Sequence, residues 1–332
     1  MHRPIVIANP RSGSARAEKV LDLLSQRLFH RQRAEILRTE HAGHATEIAR
    51  GVPPSCPLVI VAGGDGTISE VENGLMAGAG RGRALPPIGI IPLGTANTLA
   101  TELGIPKTVR GALDVIARGN LRRLDLGEAR FRQNVFADRP AGPAGLNVAP
   151  RRHLPIGKNT SESGAEITRY FHCMAGAGFD AEVARIYQTV RAGKSRPHHY
   201  VLPVLRTLKD FNLPRIRVVM DGEELTDSAA SVIVGNTRAY AILMAVAAHA
   251  QPDDGLLDAC IFFGRTRKDM ALAVLNVLFR CHLATESTLY RVGREFSLRS
   301  DSPVLVQLDG DFVGCLPLDI EVTPLAVSFF VP

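Results

Sequence analysis

The stretch AGGDGTISEVENGL, residues 62–75, places three glycines and one carboxylate at the end of an apolar strand. The run LVIVAG leads into Gly63, Gly64, Asp65 and Gly66, and a helical pattern follows. Glycine lets a ligand approach the main chain, and the N–H groups at a helix N-terminus attract anions. This pattern predicts a phosphate-binding loop. Because Asp65 would repel a bare phosphate, its carboxylate is better interpreted as a Mg²⁺ ligand or a base. The alternative is a tight turn in which Asp65 only caps the helix.

Two further loops also combine glycine with polar residues at the end of a predicted strand. The segments IIPLGTANTLATELGIP and ANPRSGSA also follow predicted strands, and ligands of open α/β sheets bind at the carboxyl ends of strands. The polar and glycine residues of these loops are Asn9, Ser12, Gly13, Gly94, Thr95, Asn97 and Thr98. Thr67 and Glu70 have the spacing of a helix capping box. A G-x-G-x-x-A match at 176–181 lies among strands, which makes a dinucleotide site there a poor interpretation.

Strand and helix patterns alternate through roughly the first 120 residues, which is typical of a doubly wound sheet. A segment rich in proline, glycine and polar residues follows at 128–168, and then a series of strands, beginning with TRYFHCMAGAG, with one helix at 269–284. Asp-Gly pairs at 221–222 and 309–310 predict hairpin turns. We therefore predict an α/β nucleotide-binding domain over residues 1–125. A mostly antiparallel β domain would occupy 126–332, with 128–168 as a long loop, and its last segment could pack back on the first domain.

The composition is that of an ordinary globular protein, with 332 residues, 45% hydrophobic and 22% charged. No apolar run is long enough to span a membrane, and the N-terminus begins a strand rather than a signal peptide, so we expect a cytoplasmic protein.

A net charge of +6 favours anionic partners. Only 5% of residues are aromatic and no nucleic-acid motif is present, so we expect no nucleic-acid partner. The five scattered cysteines predict free thiols rather than a zinc site.

GGDGTISEV together with PLGTANTLA resembles the diacylglycerol kinase catalytic domain, in the bacterial lipid kinase branch that includes sphingosine-kinase-like proteins. The resemblance continues in NPRSG, HAGHATEIA, AGAGFDAEV, VGN with PDDGLLDACIF, and LDGD, in the same order over most of the chain. NAD kinases and phosphofructokinases share the glycine loop, whereas the motifs of the second half favour lipid kinases. The resemblance implies a nucleotide-binding domain like that of NAD kinase and phosphofructokinase, followed by a β-sandwich.

The resemblance also implies functional residues. Asp65 would work with Mg²⁺ at the transferring phosphate, and Asp311 would be the general base on the lipid hydroxyl. A second, structural Mg²⁺ site would use Asp254 and the main-chain carbonyls of Gln251 and Leu256. The ATP site would comprise Asn9, Thr46, Gly63, Gly64, Asp65, Gly66, Thr67, Glu70, Gly94, Thr95 and Asn97.

Some positions depart from the family pattern. The base is usually Glu, and Asp311 is one methylene shorter, although a base must come within about 3 Å of the proton it accepts. Asp309 is a second candidate for this role. Many members carry Asp where Thr98 stands, and TRAYAILMAV replaces a glycine cluster. The segment 128–168 is longer than the usual link between the domains.

We predict an ATP- and Mg²⁺-dependent lipid kinase that acts on a hydroxyl of diacylglycerol or of a related lipid, such as a sphingoid base or a glycolipid. The alternatives are an NAD kinase-like enzyme with a soluble acceptor, or a catalytically weak lipid- or nucleotide-binding protein. Peripheral contact with an anionic membrane could involve Arg122 and Arg123, or Arg151 and Arg152. The branch often forms dimers, so a homodimer is a further expectation.

Overall fold

The computed structural model describes residues 3–12, 34–79, 84–132, 166–190, 201–238 and 245–332. The helices in these ranges are α1 (His44–Arg50), α2 (Asp65–Ala79), α3 (Thr98–Glu102), α4 (Val109–Arg118), α5 (Phe179–Val190), α6 (Val201–Asp210) and α7 (Arg267–Leu278). The strands are β1 (Ile5–Ala8), β2 (Glu35–Arg38), β3 (Val59–Gly63), β4 (Ile88–Pro92), β5 (Leu121–Arg132), β6 (Glu166–Phe171), β7 (Met174–Gly178), β8 (Ile216–Met220), β9 (Glu223–Ala229), β10 (Ser231–Gly235), β11 (Leu257–Phe262), β12 (Thr288–Gly293), β13 (Glu295–Arg299), β14 (Leu305–Leu308), β15 (Asp311–Cys315) and β16 (Leu318–Phe330).

A ten-stranded sheet runs through both halves of the chain. Strands β2, β1, β3 and β4 are parallel neighbours, and β16 continues the sheet beside β4, with Phe329 opposite Ile88. Strands β13, β8 and β9 follow in antiparallel order, and β5 pairs with β16 and β6. Strands β1, β3 and β4 are buried along their length, as expected for a sheet covered on both faces, whereas the edge strand β2 is partly exposed.

A separate six-stranded antiparallel sheet has the order β12–β11–β10–β7–β14–β15. Alternate residues of its strands face the ten-stranded sheet and form a common apolar core, for example Ala177, Val232 and Ile261 against Phe296 and Leu318. The outer face of the six-stranded sheet is covered by α5, α6 and α7. The predicted fold class, an α/β domain with a mostly antiparallel β-sandwich, is confirmed.

Helices α1 and α2 pack with almost no space between their backbones. A Cβ atom on Gly74 would lie 2.4 Å from the Thr46 carbonyl oxygen, and one on Gly78 would lie 2.4 Å from the Arg50 carbonyl oxygen. Glycine at these two positions therefore allows α1 to lie directly on the helix that begins at Asp65.

Several local predictions were wrong. The segment TRYFHCMAGAG is two strands in different sheets, because the chain turns at residues 172–173 and leaves β6 for β7. The second half contains the additional helices α5 and α6, and the helix predicted at 269–284 begins at Arg267 and ends at Leu278. The domain boundary near residue 125 stays a prediction, and strand β5 spans that residue. The helix pattern after the first strand, Gly13, Arg151, Arg152 and most of 128–168 lie outside the described residues.

Candidate active site

The two glycine loops meet backbone to backbone at the carboxyl ends of β3 and β4. The Leu93 N–H donates to the Gly63 carbonyl oxygen over 2.8 Å. A Cβ atom on Gly94 would lie 2.5 Å from the Gly64 Cα, and one on Gly64 would lie 2.9 Å from the Gly94 Cα. Only glycine fits at this crossing. A Cβ atom on Gly66, by contrast, would meet no atom within 4 Å, so the loop is open on that side.

Asp65 is the first residue of α2, at the point where the two loops cross. Its Oδ1 accepts the Leu99 N–H over 3.2 Å, which fixes the carboxylate over the start of α3. The pKa of Asp65 is raised, mainly because burial disfavours the charged carboxylate. The negative charge of Asp309 adds to this rise, and the positive charge of His172 opposes it. Both of these charges come from the second half of the chain, so Asp65 lies at the meeting point of the two halves.

Asn97 shapes the second loop. It has a left-handed backbone with φ 51°, and its side-chain N–H donates to the Gly94 carbonyl oxygen over 2.9 Å. Its Oδ1 is buried and has no hydrogen-bond partner among the described residues. An unpaired acceptor beside Gly94 and Asp65 is available to a bound ligand. Thr95 is exposed at the same loop.

The first strand contributes Asn9, whose side-chain N–H donates to the Thr67 hydroxyl over 3.2 Å. Glu70 faces α1 instead: its two carboxylate oxygens accept the N–H groups of Gly43 (2.9 Å) and Ala45 (3.2 Å). The Thr46 hydroxyl donates to the Glu70 carbonyl oxygen. The predicted capping box of Thr67 and Glu70 was therefore wrong, because α2 already begins at Asp65 and the Glu70 carboxylate is occupied by the N-terminus of another helix.

The hairpin turn between β14 and β15 lies against α2. The charge of Asp311 adds to burial in raising the pKa of Glu70, just as the charge of Asp309 acts on Asp65. Asp311 is exposed at the start of β15, and its Oδ1 accepts the Gln188 side-chain N–H of α5 over 3.0 Å. The predicted base thus faces the helix that carries the glycine loop.

Asp309, the other candidate base, has a different environment. Its Oδ1 accepts the N–H groups of Cys173 (2.8 Å) and Met174 (3.0 Å), and its Oδ2 accepts the N–H of His172 (3.1 Å). Its backbone is left-handed, with φ 49°. A carboxylate that accepts three main-chain N–H groups is fully committed to holding the turn, so Asp311 is the better candidate for a base.

A buried ion pair joins the two halves beside this turn. His172 Nδ1 lies 2.7 Å from Glu72 Oε2 and 3.4 Å from Asp309 Oδ2, and all three side chains are at most 5% exposed. Burial lowers the pKa of His172, but the carboxylates of Asp309 and Glu72 outweigh it and hold the pKa well above its usual value. The two carboxylates thus favour the protonated form of His172. The sequence analysis missed Glu72 and His172, which are 100 positions apart.

A second buried chain of hydrogen bonds supports the same turn. The side-chain N–H of Gln307 donates to Asp180 Oδ2 over 2.7 Å, and Gln307 Oε1 accepts the Gly310 N–H over 2.7 Å. The pKa of Asp180 is raised to about 7, because burial disfavours the charged carboxylate by more than the hydrogen bond from Gln307 favours it. Asp180 belongs to the G-x-G-x-x-A stretch of the sequence, where it is the second residue of α5.

The ligand atoms of His172, Cys173 and Asp309 lie within 4.8 Å of one another. They do not make a convincing metal centre. Burial raises the pKa of Cys173 to about 11, and Asp309 already accepts three N–H groups.

The predicted second Mg²⁺ site lies in the turn before β11. Asp254 Oδ1 accepts the Leu256 N–H over 3.0 Å, and Gln251 is exposed in the same turn. Asp125 of β5, which the sequence analysis did not select, lies beside it: its carboxylate accepts the N–H groups of Gly255 (2.7 Å) and Leu325 (2.6 Å). The two carboxylates are close enough for Asp254 to add to burial in raising the pKa of Asp125. A metal at this turn stays a prediction.

Family models match most of the chain. Residues 3–129 match the diacylglycerol kinase catalytic domain, and residues 173–331 match the YegS C-terminal NAD kinase beta sandwich-like domain. The chain belongs to the diacylglycerol kinase catalytic-domain family. It is therefore a lipid kinase, which confirms the predicted enzyme class.

Similar proteins align over nearly their full length. A diacylglycerol kinase of Staphylococcus saprophyticus is 26% identical over 319 residues, covering 95% of this chain and 90% of that protein. A diacylglycerol kinase of Mycobacterium tuberculosis strain H37Rv is 27% identical over 331 residues, covering 98% and 94%. The crystal structure of a diacylglycerol kinase from Bacillus anthracis has the same fold, with a TM-score of 0.68, 17% identity, and coverage of 100% of this chain and 97% of that one.

The residues of the lipid kinase fit the nucleotide that a kinase of this family uses. The open space at Gly66 and the start of α2 suit a phosphate chain, whereas the unpaired Asn97 Oδ1 is an acceptor and suits an N–H, an O–H or a cation of the ligand. Asp65 supplies the hard carboxylate oxygen that Mg²⁺ prefers.

Proposed function

We propose that this lipid kinase transfers the γ-phosphate of ATP, with Mg²⁺, to a free hydroxyl of diacylglycerol or a closely related lipid. The observation that carries the proposal is the position of the 309–311 turn, where the charges of Asp309 and Asp311 act on Asp65 and Glu70 of α2. The helix that would hold the nucleotide and an exposed carboxylate from the other half therefore lie near each other.

The first half of the chain would hold the nucleotide. The crossing of Gly64 and Gly94 keeps side chains away from the loop, and Asn9 positions Thr67 beside it. Asp65 would hold Mg²⁺, which neutralises the charge on the transferring phosphoryl group when bound. Because Leu99 fixes the Asp65 carboxylate before any ligand arrives, the site is preorganised.

The second half would supply the base. Asp311 would accept the proton of the lipid hydroxyl, while Gln188 holds the Asp311 carboxylate in one orientation. The Asp309 and Gln307 contacts fix the backbone immediately before Asp311, which restricts where the shorter side chain can reach. Phosphoryl transfer depends mainly on positioning and charge neutralisation, so these groups suffice for the reaction class.

The test is to incubate the purified protein with γ-labelled ATP, Mg²⁺ and detergent-dispersed diacylglycerol, and to measure label in the organic phase. The same assay with a sphingoid base, a monoacylglycerol and a glycolipid would rank the acceptors. Asp65→Asn and Asp311→Asn should each abolish labelling, while both variants keep the thermal unfolding midpoint of the wild type. Labelling of NAD and of no lipid would replace the proposal with a soluble acceptor.

A further inference from the structure

Helix α7 is apolar on two opposite faces. Met270, Ala273 and Val277 face inward, and Ala273 and Val277 pack on the outer face of the six-stranded sheet. The outward positions are Leu272, Leu275, Leu278 and the adjoining Phe279, of which Phe279 is 77% exposed. A helix of a globular protein normally carries polar residues on its solvent face.

Helix α6 shows the same departure. Pro203 and Thr207 face inward, whereas Val201, Leu202 and Leu205 are exposed. The two helices pack against each other in the layer that covers the six-stranded sheet. Of the ten large hydrophobic side chains exposed in the described part of the chain, seven belong to α6 or to α7 with Phe279, so the exposed apolar surface is concentrated in one layer.

The charged residues of this layer are mostly cationic. The exposed cations are Arg206, Lys209, Arg265, Arg267, Lys268 and Arg280. Only two acidic residues occur in the same segments, and the Asp269 carboxylate is occupied by the N–H groups at the start of α7. Exposed apolar side chains among cations match the interface of an anionic bilayer, where the apolar groups enter the acyl region and the cations meet the headgroups.

The layer is also connected to the candidate base. Helix α5 packs against α6 and, through Gln188, contacts Asp311. Two of the basic residues that the sequence analysis suggested for membrane contact are engaged elsewhere: Arg122 makes a bidentate ion pair with Asp253, and Arg123 donates to the Leu325 carbonyl oxygen. Arg151 and Arg152 lie outside the described residues.

We propose that the outward face of α6 and α7 is the surface by which this kinase docks on an anionic lipid bilayer. The inference rests on the proposed function, because an acyl-chain substrate resides in the bilayer. Docking there would place the substrate on the side of the molecule where α5 leads to Asp311.

The test measures co-sedimentation with phosphatidylcholine vesicles that contain or lack phosphatidylglycerol, without ATP. Leu272→Gln/Leu275→Gln/Phe279→Gln should weaken binding to the anionic vesicles by roughly tenfold or more, because binding follows the apolar area inserted. Arg206→Gln/Lys268→Gln should weaken binding to the anionic vesicles but not to the neutral ones. The matched control compares Leu275→Gln with Leu121→Gln, which removes the same side chain from the ten-stranded sheet at nearly equal exposure, 48% against 51%.

Kinase activity separates this inference from the proposed function. The triple variant should keep its activity in detergent micelles to within about twofold, since surface substitutions rarely disturb the fold, and lose it on vesicles. Equal vesicle binding by the triple variant and the wild type would overturn the docking surface, as would a triple variant whose only change is loss of a dimer in analytical ultracentrifugation. Vesicle binding that depends on α7, with no lipid phosphorylated in micelles, would support docking and contradict the proposed function.

Discussion

The two sides of the candidate active site are held together in different ways. The nucleotide side is built from backbone, with Gly64 against Gly94 and an open space at Gly66. The base side is built from side chains, since Asp309, Gln307 and the buried His172 hold the 309–311 turn. The nucleotide side therefore requires positions without a side chain, whereas the base side requires charged and hydrogen-bonding side chains. Substitutions should therefore damage the two sides in different ways.

The largest expected effect comes from Asp311. Asp311→Asn removes the proposed base and should lower kcat by roughly 10²–10⁴-fold, the usual contribution of general base catalysis. Stability should change little, because the side chain is exposed. Kinetics in micelles check this, with Asp311→Glu as the control that keeps a carboxylate and retains much of the activity. A kcat for Asp311→Asn within threefold of the wild type would remove Asp311 from the mechanism.

The buried pair should be the next most sensitive feature. Glu72→Leu leaves a buried imidazolium with one partner fewer, and removal of one member of a buried pair destabilises a protein by about 3–5 kcal/mol. The double variant Glu72→Leu/His172→Leu removes both charged members and should recover part of that loss. Urea unfolding of the single and double variants measures the coupling. If the double variant loses as much stability as the two single variants together, the two side chains do not stabilise each other.

The glycine crossing gives a smaller effect of steric origin. Gly94→Ala would place a Cβ 2.5 Å from the Gly64 Cα, and such overpacking costs about 1–3 kcal/mol. Nucleotide affinity, measured by calorimetry, should fall together with the stability, because the two loops must move apart to make room for the Cβ atom. Gly66→Ala is the matched control, since its Cβ meets open space and the unfolding midpoint should not fall. A stable Gly94→Ala variant would mean that the loops yield readily.

The smallest effect concerns Asp180, whose pKa burial raises from 3.8 to about 7. The folded state then holds a proton that the unfolded state releases above pH 4, so stability declines from about pH 4 to pH 7 and levels off above. Asp180→Asn removes this dependence and should stabilise the protein by about 1–3 kcal/mol more at pH 8 than at pH 5. Thermal melts at both pH values test the sign. An equal gain at both would show that Asp180 is ionised in the folded protein.

The same contrast explains what the sequence could predict. The glycine loops are local patterns that follow strands, so Gly64, Asp65 and Gly94 could be selected from the sequence, as could the Asp-Gly turn before Asp311. Glu72 could not, because an acidic residue within a helical pattern normally faces solvent. Its partner lies in a turn between two strands of different sheets, and no spacing rule connects them.

The sequence suggested that the last segment could pack back on the first domain, but it did not predict one continuous ten-stranded sheet. Each strand pattern indicates burial without showing which strand lies beside it, and β16 pairs with both β4 and β5. Strand β5 spans residue 125, and such a charged strand is hard to distinguish by composition from the loop that follows.

The position of β16 has a consequence for how the chain folds during synthesis. Val327 and Phe329 complete the apolar core of the first half, and Phe329 pairs beside Ile88. Until the ribosome has released β16, the β4 edge of the parallel sheet has no neighbour, and an open edge of this kind recruits other chains. The nucleotide half should therefore be slow to mature and prone to aggregate when translation stalls before residue 318, since a pairing so distant in sequence forms late.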